Sequence, residues 1–167
     1  MSETEVSVRE ACNSDWPLIW LFWRRIVASG ESYMWAPGTS ETEARALWML
    51  PPPARVYVAE TPGDGVVASA ILEPNQPGLG SHVSHGQFMV DPGSWNGGIG
   101  RRIADHVVDQ ARALGYRSMQ FNAVVATNER ALALWHDIGM RTLTRVPGAF
   151  HHPEHGYVDT YVMFMHL

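Results

Sequence analysis

The sequence is most informative first for what it lacks. It has one cysteine, Cys12, among 167 residues, so no internal disulfide can form, and a reducing, cytoplasmic setting is expected. Nothing beside Cys12 in sequence would stabilise a thiolate, so it reads as a small packed residue rather than a nucleophile. Basic residues are outnumbered 12 to 17, a net charge of −5, which argues against a nucleic-acid partner. The longest near-continuous apolar run, Trp16 to Trp23, contains Pro17 and falls far short of the roughly 20 residues of a membrane helix. The opening MSETEVSVRE is acidic and has no apolar core, so no signal peptide is expected there. Repeats, low-complexity tracts and linkers are absent. With 46% hydrophobic and 17% charged residues, the whole of 1–167 reads as one globular domain. Two nucleotide motifs are also missing: Gly-Lys-Ser/Thr of a Walker loop, and Gly-x-Gly-x-x-Gly of a dinucleotide fold.

What is present centres on Phe88 to Ala104, FMVDPGSWNGGIGRRIA. Phe88, Met89 and Val90 read as the end of a strand stopped by Pro92-Gly93. Ile99, Ile103, Val107, Ala111 and Leu114 then recur at helical spacing. Between them lies Asn96-Gly97-Gly98-Ile99-Gly100, whose small residues let backbone amides approach a ligand closely. A glycine-rich turn at a helix N-terminus gathers unpaired N–H groups and a favourable dipole, which suits a pyrophosphate.

Around this centre the chain alternates. Val6 and Val8 suggest a first strand, and Asn13 or Ser14 caps a helix with Pro17 in its first turn, ended by Gly30. Ser40 and Glu43 form a capping box for a second helix, stopped at Pro51-Pro52-Pro53. RVYVAE and VVASAILE read as a hairpin, and HVSHGQFMV as a fourth strand. After the central helix come the strand SMQFNAVV, a helix capped by Asn128, and two last strands, MRTLTRV and YVDTYVMFMHL, joined by the loop PGAFHHPEHG. This mixed order predicts an α+β fold.

Val90-Asp91-Pro92 followed by Gly98-Ile99-Gly100 resembles the acetyl-CoA loop of the GNAT superfamily of N-acetyltransferases. Asn128-x-x-Ala131, Leu134-Trp135 and Gly139-Met140 are similar to its second motif, a helix that closes over the pantetheine arm. The element order matches as well. The resemblance implies a mixed sheet of about seven strands, splayed between the fourth and fifth, with about four helices. It implies acetyl-CoA as co-substrate and no metal. Cofactor contacts would come from Phe88, Met89, Val90, Trp95, Asn96, Gly97, Gly98, Ile99, Gly100, Arg101, Asn128, Ala131 and Trp135. Trp95 stands where the family usually has Arg or Gln, and Arg101 and Arg102 could supply the missing charge. Three further segments look like the acetyltransferases of L-azetidine-2-carboxylate and other proline analogues: Pro74-Asn75-Gln76-Pro77-Gly78 with Ser81-His82, Phe121-Asn122 with Thr127-Asn128, and Val158-Asp159. Phosphinothricin-type enzymes are a more distant match.

The expected chemistry is transfer of acetyl to the amine of a small amino or imino acid, in a ternary complex, since no serine or cysteine sits beside a base. Trp135 replaces the family's tyrosine acid and can only donate a hydrogen bond. Asn122 either eases thiolate departure, as in the proline-analogue enzymes, or makes an inter-strand structural bond. His85, where those relatives carry asparagine, either holds and deprotonates the amine or is bonded to backbone. Strand parity puts it with Gln87 and Met89, opposite Phe88 and Val90. Glu31, Tyr33 and Trp35 either form a substrate lid or pack. His82 reads as structural, and His151, His152 and His155 as a solvated loop or substrate mouth rather than a zinc site. Trp16, Trp20 and Trp23 read as core or as the surface of a homodimer. Rival readings are acetylation of polyamines, antibiotics or protein amines, and a non-catalytic acyl-CoA-binding module.

Overall fold

The computed structural model describes residues 5–95 and 97–167. A seven-stranded sheet has the order β1-β2-β3-β4-β5-β7-β6. Its strands are β1 Ser7–Glu10, β2 Arg55–Thr61, β3 Gly65–Pro74, β4 Val83–Val90, β5 Ser118–Val125, β6 Arg141–His152 and β7 Gly156–His166. The helices are α1 Trp16–Ser29, α2 Glu41–Trp48, α3 Ile99–Ala113 and α4 Glu129–Asp137. All neighbours are antiparallel except β4 and β5, which run parallel and pair only at Val83–Ser118 and Ser84–Met119. Beyond those two pairs the strands splay, and the α+β architecture is the expected one.

Each face of the sheet carries its own core. Ile103, Ala104, Val107 and Ala111 of α3 pack on Ala68, Ala70 and Leu72 of β3. On the other face Ile19, Phe22, Trp23 and Val27 of α1, with Trp48 of α2, cover Val58, Ile71 and Met89. Burying one such large aliphatic or aromatic side chain contributes about 1.5–3 kcal/mol. Trp16 and Trp23 are buried and Trp20 half-buried, so the tryptophan stripe is core. The Trp48 indole donates to Ser69 Oγ at 2.8 Å, and that hydroxyl donates to the Tyr57 carbonyl at 2.9 Å, satisfying both buried groups. Among the described residues no helix is long and apolar enough to cross a membrane.

Three local expectations change. Neither Asn13 nor Ser14 caps α1. Those residues form a short 3-10 turn, and Asp15 holds the N-cap position. Its carboxylate turns back to accept from the Cys12 N–H at 2.8 Å and from Arg9 at 2.8 and 2.9 Å. Cys12 is exposed at this corner rather than packed, with Asp15 Oδ2 3.4 Å from its sulfur. The loop expected at 147–156 is mostly strand: β6 continues to His152 and β7 begins at Gly156. Register shifts at Thr142/Thr144 and Val146/Phe150 break the alternation that a strand reading needs, and Pro147 falls within the second shift. Asp159 accepts from the Gly148 N–H at 3.0 Å, and the rings of His151 and Tyr157 stack at 4.7 Å.

Candidate active site

The splay is the site's framework, and hydrogen-bond parity decides what lines it. Asn75 N–H donates to the Val83 carbonyl and Asp91 N–H to the Val67 carbonyl, one bond at each end of the β3–β4 ladder. With continuous register between, the backbone groups of residues 85, 87 and 89 point to β3. Those of Gly86, Phe88 and Val90 therefore point into the gap toward β5. Met89, expected among the cofactor contacts, spends its backbone groups on β3 and buries its side chain against α1 and α2.

Two of the gap-facing carbonyls are already taken. The Tyr33 hydroxyl donates to the Phe88 carbonyl, and the Trp95 indole N–H donates to the Val90 carbonyl at 3.1 Å. What Phe88 and Val90 retain is their N–H groups, so the wall there is chiefly a donor surface. Burial pushes the Tyr33 phenol well above its usual range despite the opposing bond to Phe88, so it stays a neutral donor. Its ring stacks on Trp35 at 5.1 Å, and Trp35 stacks on Trp23 at 5.3 Å. Tyr33 thus reaches the gap, Trp35 props it, and Glu31 is exposed on the connecting turn.

His85, Gln87, Gln120 and Asn122 share the α1/α2 face, as the Ser84–Met119 pairing requires. His85 Nδ1 lies 2.9 Å from the Gln120 carbonyl, across the gap where main-chain pairing fails. A carbonyl only accepts, so Nδ1 carries the hydrogen, and Nε2 of the neutral ring keeps its lone pair. The backbone-bonded arrangement and a free basic nitrogen therefore coexist. Asn122 is exposed and not inside a packed strand: β5–β7 register slips between Phe121 and Val124, leaving Asn122 and Ala123 in a bulge. It accepts from Gln120 Nε2 at 3.0 Å and donates to Asn75 Oδ1 at 2.7 Å. Neither partner is a backbone group of a neighbouring strand.

On the α3/α4 face, Trp135 is buried with its ring 4.8 Å from both Phe88 and Phe121. The indole packs α4 onto the splay and offers no titratable proton. Asn128 caps α4 through its side chain, accepting from the Ala131 N–H at 3.2 Å, so both residues hold the helix end in place.

The glycine-rich loop leads into a bare helix end. Gly98 is the N-cap of α3 at φ 68°, with no side-chain cap and no acidic residue in the first turn. The first intrahelical bond, Arg102 N–H to the Gly98 carbonyl, leaves the earlier amides without a partner among the described residues. Uncapped donors at a dipole's positive end fit a pyrophosphate. Gly97 is exposed beside them; Ile99 is buried in the core, so only its backbone is available; Asn96 lies outside the described residues. Arg101 is engaged by Asp105 at 2.9 Å and is a weaker source of free charge than expected. Besides Arg25 on Asp91, the cation Arg130 touches the loop, a residue the sequence reading passed over. Its guanidinium lies 4.9 Å from the Trp95 ring centre, and its Nη2 donates to the Trp95 carbonyl at 3.1 Å. Its position in the first turn of α4, where the dipole disfavours a cation, was the available signal.

The histidines divide. His82 is exposed and joins the fold through its carbonyl, which accepts from the Arg117 N–H at 2.9 Å. His152 is buried, and its Nδ1 accepts from the amides of Glu154 and His155 at 3.1 and 3.3 Å, closing the β6–β7 turn.

Comparison with known proteins agrees with this geometry. The model of the acetyltransferase (GNAT) family matches residues 17–140. A GCN5-related N-acetyltransferase from Kribbella flavida is 44% identical over 97% of this chain and 98% of its own, with a TM-score of 0.93. N-acetyltransferase aca1 of Schizosaccharomyces pombe is 35% identical over 97 residues, which are 58% of this chain and 46% of that protein. A phosphinothricin acetyltransferase from Sinorhizobium meliloti, in complex with AcCoA, shares the fold at 20% identity and a TM-score of 0.85, covering 97% of this chain and 88% of that one. A splayed β4–β5 pair, a helix end after a glycine-rich loop and these matches place the chain in the GNAT family of acetyltransferases.

Proposed function

We propose that this chain acetylates the amine of a small amino or imino acid, of the proline-analogue type, by direct transfer. One observation carries the substrate class: the contact between Asn75 and Asn122. These residues are 47 apart in sequence, in separate segments that resemble the proline-analogue enzymes, and they hydrogen-bond at the mouth of the splay. The amide row runs from Gln120 to Asn122 to Asn75 and leaves the side-chain Nδ2 donors of Asn75 without a partner among the described residues. Those donors suit a substrate carboxylate.

Acetyl-CoA supplies the activated acyl group. The chain's part is to hold and deprotonate the amine and to stabilise developing charge. His85 Nε2, which carries the lone pair of the neutral ring when Nδ1 donates to the Gln120 carbonyl, takes the amine's proton. The Phe88 and Val90 N–H groups donate into the gap, where each such donor is worth about 3 kcal/mol in a transition state. Holding both reactants in the splay removes on the order of 7–11 kcal/mol of barrier.

The test is a panel of amines with acetyl-CoA and a thiol-detecting reagent: small amino and imino acids, polyamines, aminoglycosides and peptide amines. Turnover of the first group, with kcat/KM lowered roughly 10²-fold or more in His85→Ala, is expected. Turnover confined to polyamines or peptides would overturn the substrate class. Acetyl-CoA binding without turnover of any amine would leave a binding module.

A further inference from the structure

The geometry points to Arg130 as a phosphate-recognition residue for the acyl donor, held ready by Trp95 on the lip of the seam between the α3 loop and α4. This assignment rests on acetyl-CoA as the co-substrate and not on which amine is acetylated.

The seam has three levels. At its base Phe88 meets Trp135 at 4.8 Å. In the middle a Cβ on Gly100 would sit 3.6 Å from Leu134 and 3.7 Å from Val90, so α3, α4 and β4 meet there in ordinary contact. At the outer edge Arg130 reaches from α4 across to Trp95. The α3 N-terminus begins three residues beyond Trp95, at Gly98, so Arg130 holds the loop that leads into the backbone donors fitted to a pyrophosphate.

The charge pattern selects this residue. Of the arginines near the loop, Arg25 is held by Asp91 at 2.6 Å and Arg101 by Asp105 at 2.9 Å. Arg102 and Arg130 have no carboxylate partner among the described residues, and of these two it is the Arg130 side chain that bonds to the loop. Its present acceptor is a neutral carbonyl. A phosphate offers a charged acceptor that the planar guanidinium can engage through two N–H groups, a stronger bond than the one it would replace.

Trp95 is built for the companion role. Its side chain is about half exposed, yet it is fixed by its indole N–H on Val90 and by the guanidinium over its face. A stacked guanidinium loses less freedom when it binds than a solvated one. Tryptophan in place of the family's Arg or Gln therefore does not leave the loop without a cation; it positions one contributed by α4.

The experiment is calorimetry on the full chain, without any amine, so its outcome is independent of the substrate reading. The titrants are CoA, 3′-dephospho-CoA, 4′-phosphopantetheine and pantetheine, against wild type, Arg130→Gln, Arg130→Lys and, as a charge-matched control at the far end of α3, Arg117→Gln. Arg130→Gln should weaken CoA binding on the order of ten- to a hundredfold and flatten its salt dependence, while leaving pantetheine unchanged. Arg130→Lys should recover part of the loss, and Arg117→Gln should bind as wild type. A loss that vanishes with 3′-dephospho-CoA assigns the contact to the 3′-phosphate; one that persists assigns it to the pyrophosphate. Either result supports the assignment. Wild-type CoA affinity in Arg130→Gln, or an equal loss with pantetheine, would overturn it, the second by showing that Arg130 only packs the seam.

Discussion

Replacing Gly98 with alanine isolates conformation from space. Gly98 adopts φ 68°, and a Cβ there would meet nothing within 4 Å among the described residues, so the penalty considered is the left-handed backbone. That costs about 1–2 kcal/mol for a non-glycine residue, offset by about 0.4–1 kcal/mol because alanine also restricts the unfolded chain. The net of about 1 kcal/mol should lower Tm by roughly 2–4 °C in a chain of this size. The larger effect is expected on the ligand. If Gly98 leaves the left-handed region, the following amides turn away from the pyrophosphate, and each charge-assisted bond lost is worth about 1.5–3 kcal/mol, or roughly 10- to 150-fold in Kd. Gly100→Ala is the paired control. Its Cβ makes ordinary contacts with Leu134 and Val90, the position is helical, and stability should hold or rise by about 0.5–1 kcal/mol. Calorimetric titration of both folded variants with acetyl-CoA provides the measurement. Wild-type affinity in a folded Gly98→Ala protein would refute the argument that these amides cradle the pyrophosphate.

Other perturbations probe the fold and the gap. Arg9 holds the Asp15 carboxyl down at about 2, against an ordinary value near 4; this stabilisation is present above pH 4 and is lost as pH falls from about 4 through 2. Because the Arg9 side chain is 41% exposed, its worth is about 1–2 kcal/mol, and urea melts of Asp15→Asn should show a gap from wild type at pH 7 that closes by pH 2. Tyr33→Phe keeps the stack on Trp35 but leaves the gap-facing Phe88 carbonyl without its donor, so unfolding free energy should fall by about 1–3 kcal/mol; an unchanged melt would show that solvent satisfies that carbonyl. Asn122→Ala should lower kcat more than it raises KM if the amide acts in the transition state, whereas normal kcat with a lowered Tm would make it structural. A double-mutant cycle with Asn75→Ala should return about 0.5–1.5 kcal/mol of coupling in stability, and additive losses would show that the 2.7 Å bond contributes nothing.

Local chemistry was legible wherever it acts over a few residues. The Ser40–Glu43 capping box, the Asn128 cap, the apolar stripe of α3 and the glycine turn before it all depend on neighbours within about one helical turn, and each stands where the residues place it. The His85 side of β4 followed from alternation alone, because no bulge interrupts the β3–β4 register. Where bulges do occur, in β6 and after Phe121, the alternation resets: the 147–156 segment reads as loop but is mostly strand, and Asn122 is turned out to an exposed position. Other features depend on residues far apart in sequence. That Phe88 and Val90 rather than Met89 face the gap follows from which bonds β3 takes. That Tyr33 occupies the Phe88 carbonyl, that His85 Nδ1 bonds across the gap, and that Arg130 touches the loop are consequences of contacts spanning 55, 35 and 35 residues. Side-chain types set what each group can do, and only the packed sheet, splayed after two parallel pairs, decided which groups meet.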